Sequence, residues 1–133
     1  LYARYGHVWD KRPTTKQPAV KPIYFHKGFA FGVLVCSELQ NIAYRKALQG
    51  AVDSLFVLSW NRDLETFGAL VESAALDVHA YIALVNNRSY GDSRVRAPMK
   101  EAHRRDLCRV RGGGDDYVVV VDIDVEAPTS PRF

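Results

Sequence analysis

Cysteine is scarce in this sequence, which has only two such residues, Cys36 and Cys108, among 133. Two cysteines could form at most one bridge, which excludes a small scaffold held together by disulfides. Such sparing use of cysteine is typical of a reducing compartment, so we predict a cytoplasmic protein. No two histidines or cysteines have the spacing of zinc ligands, and we therefore predict no metal and no cofactor.

Long apolar runs are also missing, and none approaches the roughly 18 residues that a membrane-spanning helix requires. We therefore expect no membrane partner.

Neither sign of charge dominates, since 18 Lys and Arg against 15 Asp and Glu leave a formal net charge of +3. The densest basic cluster consists of His103, Arg104, Arg105, Arg109 and Arg111. We interpret it as solvated surface, with a phosphate-binding patch as the alternative. No aromatic residue for base stacking lies between Leu107 and Gly114, so we expect no nucleic-acid partner.

Short apolar runs that alternate with helical patterns are what the chain does contain. The runs Phe29–Cys36, Ser54–Ser59 and Tyr81–Val85 predict strands that are covered on both faces. The run after Asp63 predicts a helix over 63–79, with Asp63 as its N-cap. Its apolar stripe has the spacing of one helix face and comprises Phe67, Leu70, Val71, Ala74, Ala75 and Val78.

The remaining segments predict a second helix over 38–49, ended by Gly50, and several weaker elements. Together with the strong elements they predict an α/β sandwich. The weaker elements are strands at 1–10, Tyr24–Phe25, 107–111 and Tyr117–Val121, a turn at Lys27–Gly28, loops at 11–22 and 88–100, and a disordered tail at 127–133.

Cys36 lies where a predicted buried strand meets the start of a predicted helix. In α/β sheets, reactive groups gather at the carboxyl ends of the strands. The partial positive charge of a helix start favours a thiolate, and its backbone N–H groups could bind an oxyanion. Cys36 is therefore a candidate nucleophile, while the alternative is an unreactive cysteine of the core.

The segments around Cys36 resemble those of the carbon–nitrogen hydrolase, or nitrilase, superfamily. Gly32–Glu38 is similar to its nucleophile motif, in which a hydrophobic strand ends in Cys-aromatic-Glu/Asp. The resemblance spans about residues 30–124. Further segments that carry it are Arg45 with Leu48–Val57, Leu70–Asp77, Tyr81–Asn87 and Asp122–Asp124.

This resemblance implies a fold and an activity. The implied fold is part of a four-layer α-β-β-α sandwich, which residues 1–126 would form in part, and the full-length form would be a homo-oligomer. The implied activity is hydrolysis of nonpeptide C–N bonds in small amides, carbamoyl compounds or nitriles. A Glu-Lys-Cys triad would perform it through a cysteine thioester.

Carried over residue by residue, the resemblance assigns the nucleophile to Cys36 and the lysine to Lys11 or, as a second candidate, Lys16. Glu38 matches a structural acid of the family better than its base, and Ser37 replaces the usual aromatic residue. Asn86 and Asn87 match the end of a strand near the site.

The base of the triad has no match, because no acidic residue precedes Asp10. Since the sequence also starts at Leu1 rather than at Met, we expect a piece of a longer chain. Two hypotheses stay open: a thiol hydrolase that is active when full length but inactive as this piece, and a catalytically silent nitrilase-like domain for assembly or ligand binding.

Overall fold

A computed structural model describes residues 21–125 of the chain. The predicted strand at 1–10, most of the predicted loop at 11–22 and the predicted tail lie outside these residues. The strands are β1 (Tyr24–His26), β2 (Phe29–Val35), β3 (Ser54–Leu58), β4 (Tyr81–Val85), β5 (Ser93–Arg96) and β6 (Asp106–Val110). The helices are α1 (Ile42–Leu48) and α2 (Leu64–Val78), with 3-10 turns at Cys36–Gln40 and Ala102–Arg104.

The six strands form one mixed sheet in the order of the chain, β1 to β6. Strands β2, β3 and β4 are parallel, and their register aligns Phe31 with Ser54 and Ser54 with Tyr81. The other three pairings are antiparallel. Parallel neighbours require crossover connections, which the segments containing α1 and α2 provide. The predicted α/β class is therefore confirmed.

The core lies between the helices and one face of the sheet. Alternate strand residues point to this face, and α2 packs its apolar stripe on them. Val71 of α2 is fully buried, as the helical spacing predicts. The core residues of the strands and of α2 are Leu34, Leu55, Val57, Ile82, Leu84, Phe67, Val71, Ala74, Ala75 and Val78.

Helix α2 begins and ends close to where the sequence predicts. Asp63 caps it, since its Oδ1 accepts a hydrogen bond of 3.0 Å from the Thr66 backbone N–H. That hydrogen bond lowers the pKa of Asp63 below its usual range. His79 adopts a left-handed conformation with φ of 59° and ends the helix.

The predicted helix over 38–49 is instead two elements, the 3-10 turn Cys36–Gln40 and helix α1. The division falls at Asn41, whose Oδ1 accepts hydrogen bonds from the backbone N–H groups of Ala43 and Tyr44. This cap starts a new helix, so the prediction of one continuous helix is wrong. Gly50 follows α1 with φ of 71°, as a helix-ending glycine should.

Strand β5 lies inside the segment that the sequence predicts as a polar loop, 88–100, so that prediction is wrong in part. Two arginines hide the strand pattern, because Arg94 and Arg96 point to the helical face and are buried there. Arg96 contacts Glu72 at 2.7 Å and Asp106 at 2.8 Å. Burial lowers the pKa of Arg94, and the nearby carboxylate of Asp92 opposes that shift.

Tyr117–Val121 is not a strand in the structure, which corrects the prediction. The segment has strand-like composition, but within residues 21–125 it pairs with no neighbouring strand. It lies beside the second face of the sheet, where Tyr117, Val119 and Val121 line a cleft. Val118 and Val120 are 94% and 86% exposed.

The described residues thus form one helical layer on one sheet, two of the four layers that the resemblance implies. The second face of the sheet is apolar and only partly covered, with Leu58 and Val85 about half exposed. In the described part of the chain, no helix has both the length and the apolar character needed to cross a membrane.

We predict that Val71→Asp destabilises the fold by about 3–5 kcal/mol, because it places an unpaired carboxylate in the core. Urea denaturation followed by circular dichroism would measure the change. The matched control is Ala69→Asp, which introduces the same residue on the exposed side of α2 and should cost less than about 1 kcal/mol. Equal midpoints for the two variants would contradict the assigned helix face.

Candidate functional site at the end of strand β2

Cys36 directly follows the last residue of β2 and is buried, with 4% of its surface exposed. Its φ of 48° lies in the left-handed region, which is uncommon for a residue other than glycine. Such a conformation costs roughly 1–2 kcal/mol and is concentrated at functional sites. The chain therefore makes a strained turn at the residue that the sequence singles out as the candidate nucleophile.

Glu38 stabilises this turn. Its Oε2 accepts a hydrogen bond of 2.9 Å from the backbone N–H of Val35. Its Oε1 receives a hydrogen bond of 2.6 Å from Nζ of Lys21. Because both carboxylate oxygens are engaged, the geometry favours a structural role for Glu38 over that of a base.

Two serines are close to Cys36, Ser59 in space and Ser37 in the sequence. Ser59 follows β3, donates its backbone N–H to the Val85 carbonyl at 2.8 Å, and places its Oγ 3.9 Å from Sγ of Cys36 as a hydrogen-bond donor. The hydroxyl of Ser37 is buried and has no hydrogen-bond partner in the described part of the chain. Ser37, which replaces the aromatic residue of the motif that the sequence resembles, thus carries a buried hydroxyl without a partner among the described residues.

Asn86 joins the segments that follow strands β3 and β4. Its amide Nδ2 donates to the carbonyls of Asn61 at 2.9 Å and Gly91 at 2.8 Å, and its Oδ1 accepts from the Asn61 backbone N–H at 2.9 Å. The side chain is 7% exposed, so these bonds are largely shielded from water. Asn87 is exposed and accepts a hydrogen bond from the Ser89 N–H within a turn.

The two candidate lysines, Lys11 and Lys16, lie outside the described residues. The structure instead brings Lys21 to this region, a residue that the sequence pattern does not single out. Lys21 precedes β1 by three positions, and β1 runs antiparallel to β2, so Lys21 lies near the end of β2. Recognising β1 and β2 as an antiparallel hairpin could have identified it.

A cleft of about 350 Å³ lies elsewhere, between the second face of β4 to β6 and the segment 113–121. Asn86 and Cys108 line it, but Cys36 does not. Cys36 and Cys108 are not joined by a disulfide. Within residues 21–125, no three His, Cys, Asp or Glu side chains are grouped closely enough to hold a metal ion.

We predict that Asn86→Ala lowers the free energy of unfolding by about 1–3 kcal/mol, since it leaves buried backbone groups without partners. Asn87→Ala is the matched control, because it removes an exposed amide that makes a single turn contact. Urea denaturation of both variants is the measurement. A loss for Asn87→Ala as large as that for Asn86→Ala would contradict the assigned roles.

No family model and no curated protein matches the sequence. Solved structures do match the fold. XC1258 from Xanthomonas campestris, a CN-hydrolase superfamily protein with an arsenic adduct in its active site, superposes with a TM-score of 0.74 and 16% identity over 97% of this chain. An amidase variant from Nesterenkonia sp. AN1, with acrylamide added to its active-site cysteine, has a TM-score of 0.61 and 20% identity over 89% of this chain.

A glutamine-dependent NAD⁺ synthetase from Acinetobacter baumannii also matches, with a TM-score of 0.58 and 19% identity over 72% of this chain and 20% of its own. The chain spans about half of the first two structures, 52% of XC1258 and 47% of the amidase. The resemblance in the motifs is thus matched in three dimensions: the chain has the fold of CN-hydrolase superfamily proteins over about half of their length.

Proposed function

We propose that this chain supplies the nucleophile of a hydrolase that acts on nonpeptide C–N bonds. The observation that carries the proposal is the placement of Cys36 at the carboxyl end of a parallel strand, in a left-handed turn that Glu38 stabilises. The hydroxyl of Ser59 lies within reach of the sulfur and would stabilise a thiolate. A small amide, carbamoyl compound or nitrile is the proposed substrate.

For an amide, the Cys36 thiolate would attack the carbonyl carbon and form a C–S bond. The C–N bond of the tetrahedral intermediate then breaks, and the nitrogen takes up the proton that the base removed from the thiol and leaves as ammonia or an amine. Water, losing a proton to a base, attacks the thioester and releases a carboxylate and the thiol. Lys11 or Lys16 would stabilise the negative charge on the oxygen.

The base that these proton transfers require is not Glu38, whose two oxygens are held by Val35 and Lys21. We infer that a glutamate of an upstream segment supplies it, as the resemblance implies. The proposed active form is therefore the longer polypeptide, as a homo-oligomer in the cytoplasm.

The structural neighbours support the amide class of substrate. The Nesterenkonia amidase carries acrylamide on its active-site cysteine in one structure, and another of its variants holds butyramide. A small primary amide is consequently the first substrate to test.

A catalytically silent assembly or binding domain is the second candidate function. The partly covered apolar face of the sheet and the exposed Val118 and Val120 favour it, because such surfaces suit contacts with another protein. A silent domain would keep the fold without the reactivity of Cys36. The two candidates therefore differ in the chemistry of one thiol.

We predict that brief treatment with iodoacetamide near neutral pH alkylates Cys36 faster than Cys108. Exposure alone predicts the reverse order, because Cys36 is buried and Cys108 is only partly buried. Faster reaction at Cys36 would thus reflect activation of its thiol. Peptide mapping measures both rates, and preferential labelling of Cys108 would contradict the proposal.

We also predict that this chain alone does not turn over simple amides, carbamoyl compounds or nitriles, because triad members act as a unit and the base is missing. The chain and the longer polypeptide would be assayed side by side, with Cys36→Ala as the test variant and Cys108→Ala as its matched control. Turnover by the chain that disappears in Cys36→Ala but persists in Cys108→Ala would show that a base exists among its residues.

A further inference from the structure

We propose that Lys21 is a positioning residue for Cys36 and acts through Glu38. The inference deepens the proposed function and rests on it, since it concerns how the nucleophile is held. It assigns a role to a lysine other than the two that the resemblance suggests. Three contacts carry it.

The first contact is the ion pair itself. Nζ of Lys21 lies 2.6 Å from Oε1 of Glu38, and the two side chains are only 16% and 11% exposed. A pair so far removed from water is screened less by solvent than a surface pair. If Lys21 lost its charge, the Glu38 carboxylate would be left largely buried without a counter-charge, which is strongly unfavourable.

The second contact fixes where the lysine sits. Nζ of Lys21 lies 5.4 Å from the centre of the Tyr44 ring, within the range of a cation–π interaction. Tyr44 belongs to α1 and is 2% exposed, so the ring is held by the core. The ammonium group is therefore directed toward Glu38 by a rigid neighbour as well as by charge.

The third contact links the Lys21–Glu38 pair to the backbone beside Cys36. While Oε1 of Glu38 binds Lys21, Oε2 accepts the N–H of Val35, the residue before Cys36. The Glu38 carbonyl also accepts the Asn41 N–H at 3.0 Å and ties the other end of the turn. A left-handed cysteine is intrinsically unfavourable, so the contacts of Glu38 must offset its strain. Lys21 orients the carboxylate that makes the first of these contacts.

The experiment uses the full 133-residue chain with Lys21→Met and the conservative variant Lys21→Arg. The matched control is Lys46→Met, which removes an exposed lysine of α1. Two quantities are measured: amide hydrogen exchange at Val35, relative to the core residue Val57, and the pH profile of iodoacetamide labelling at Cys36, relative to Cys108.

We expect Lys21→Met to speed exchange at Val35 by about tenfold, which corresponds to about 1.4 kcal/mol, without changing Val57. Labelling of Cys36 should slow at least several-fold and shift its pH profile, because the thiol is no longer presented by the left-handed turn. Cys108 should be unaffected. Lys21→Arg should restore both quantities, and Lys46→Met should match the parent.

Unchanged exchange at Val35 in Lys21→Met would overturn the inference. Faster labelling of Cys36 would also overturn it, because Lys21 would then shield the thiol rather than position it. So would faster labelling of both cysteines together with faster amide exchange at Val57, because these changes would indicate a general loss of structure. Failure of the proposed function would give a different result. Iodoacetamide would then label Cys36 no faster than Cys108 in the parent chain, whatever the amide exchange rate at Val35 in the variants.

Discussion

Parallel pairing of β2, β3 and β4 is the constraint on which the candidate site depends. Because the three strands run in the same direction and in register, their carboxyl ends meet at one edge of the sheet. Cys36, Ser59 and Asn86 each follow one of these strands and are thereby brought to that edge from separate parts of the sequence. The crossovers through α1 and α2 cover one face of the sheet and form the core that keeps the strands in place.

At that edge, the local structure is determined by one carboxylate. Glu38 joins the strand end at Val35 to the cation of Lys21, and between these contacts the backbone turns through the left-handed cysteine. Because both of its oxygens are engaged in these contacts, the geometry favours a structural role for Glu38. A short sequence motif thus holds the candidate nucleophile in place, while in the proposed mechanism the base and the oxyanion-binding lysine belong to other segments.

The sequence predicted the elements whose pattern is dominated by burial. Helix α2 and strand β4 lie where the apolar periodicity places them. The sequence did not predict strand β5, because Arg94 and Arg96 occupy inward positions where ion pairs replace apolar contacts. Gly68 of α2 leaves the space for Arg94, since a Cβ atom at position 68 would lie 2.6 Å from Nη2 of Arg94. Lys21 was missed because its role depends on a pairing between β1 and β2 that short strands signal weakly. At Tyr117–Val121 the sequence predicts a strand that the structure does not have, because residues with high β propensity form a strand only where a neighbouring strand can pair with them.

Half of a sandwich can hold the candidate nucleophile, although the proposed chemistry needs further segments. One face of the sheet is closed by α1 and α2, which suffices to fix the strand ends and therefore Cys36. The other face is apolar and partly exposed, and it forms a cleft with the segment 113–121, which pairs with no strand in the described residues. In a fold of four layers, that face is where a second sheet would pack. The stability of this chain therefore depends on its helical face, whereas the proposed reaction depends on further groups besides Cys36.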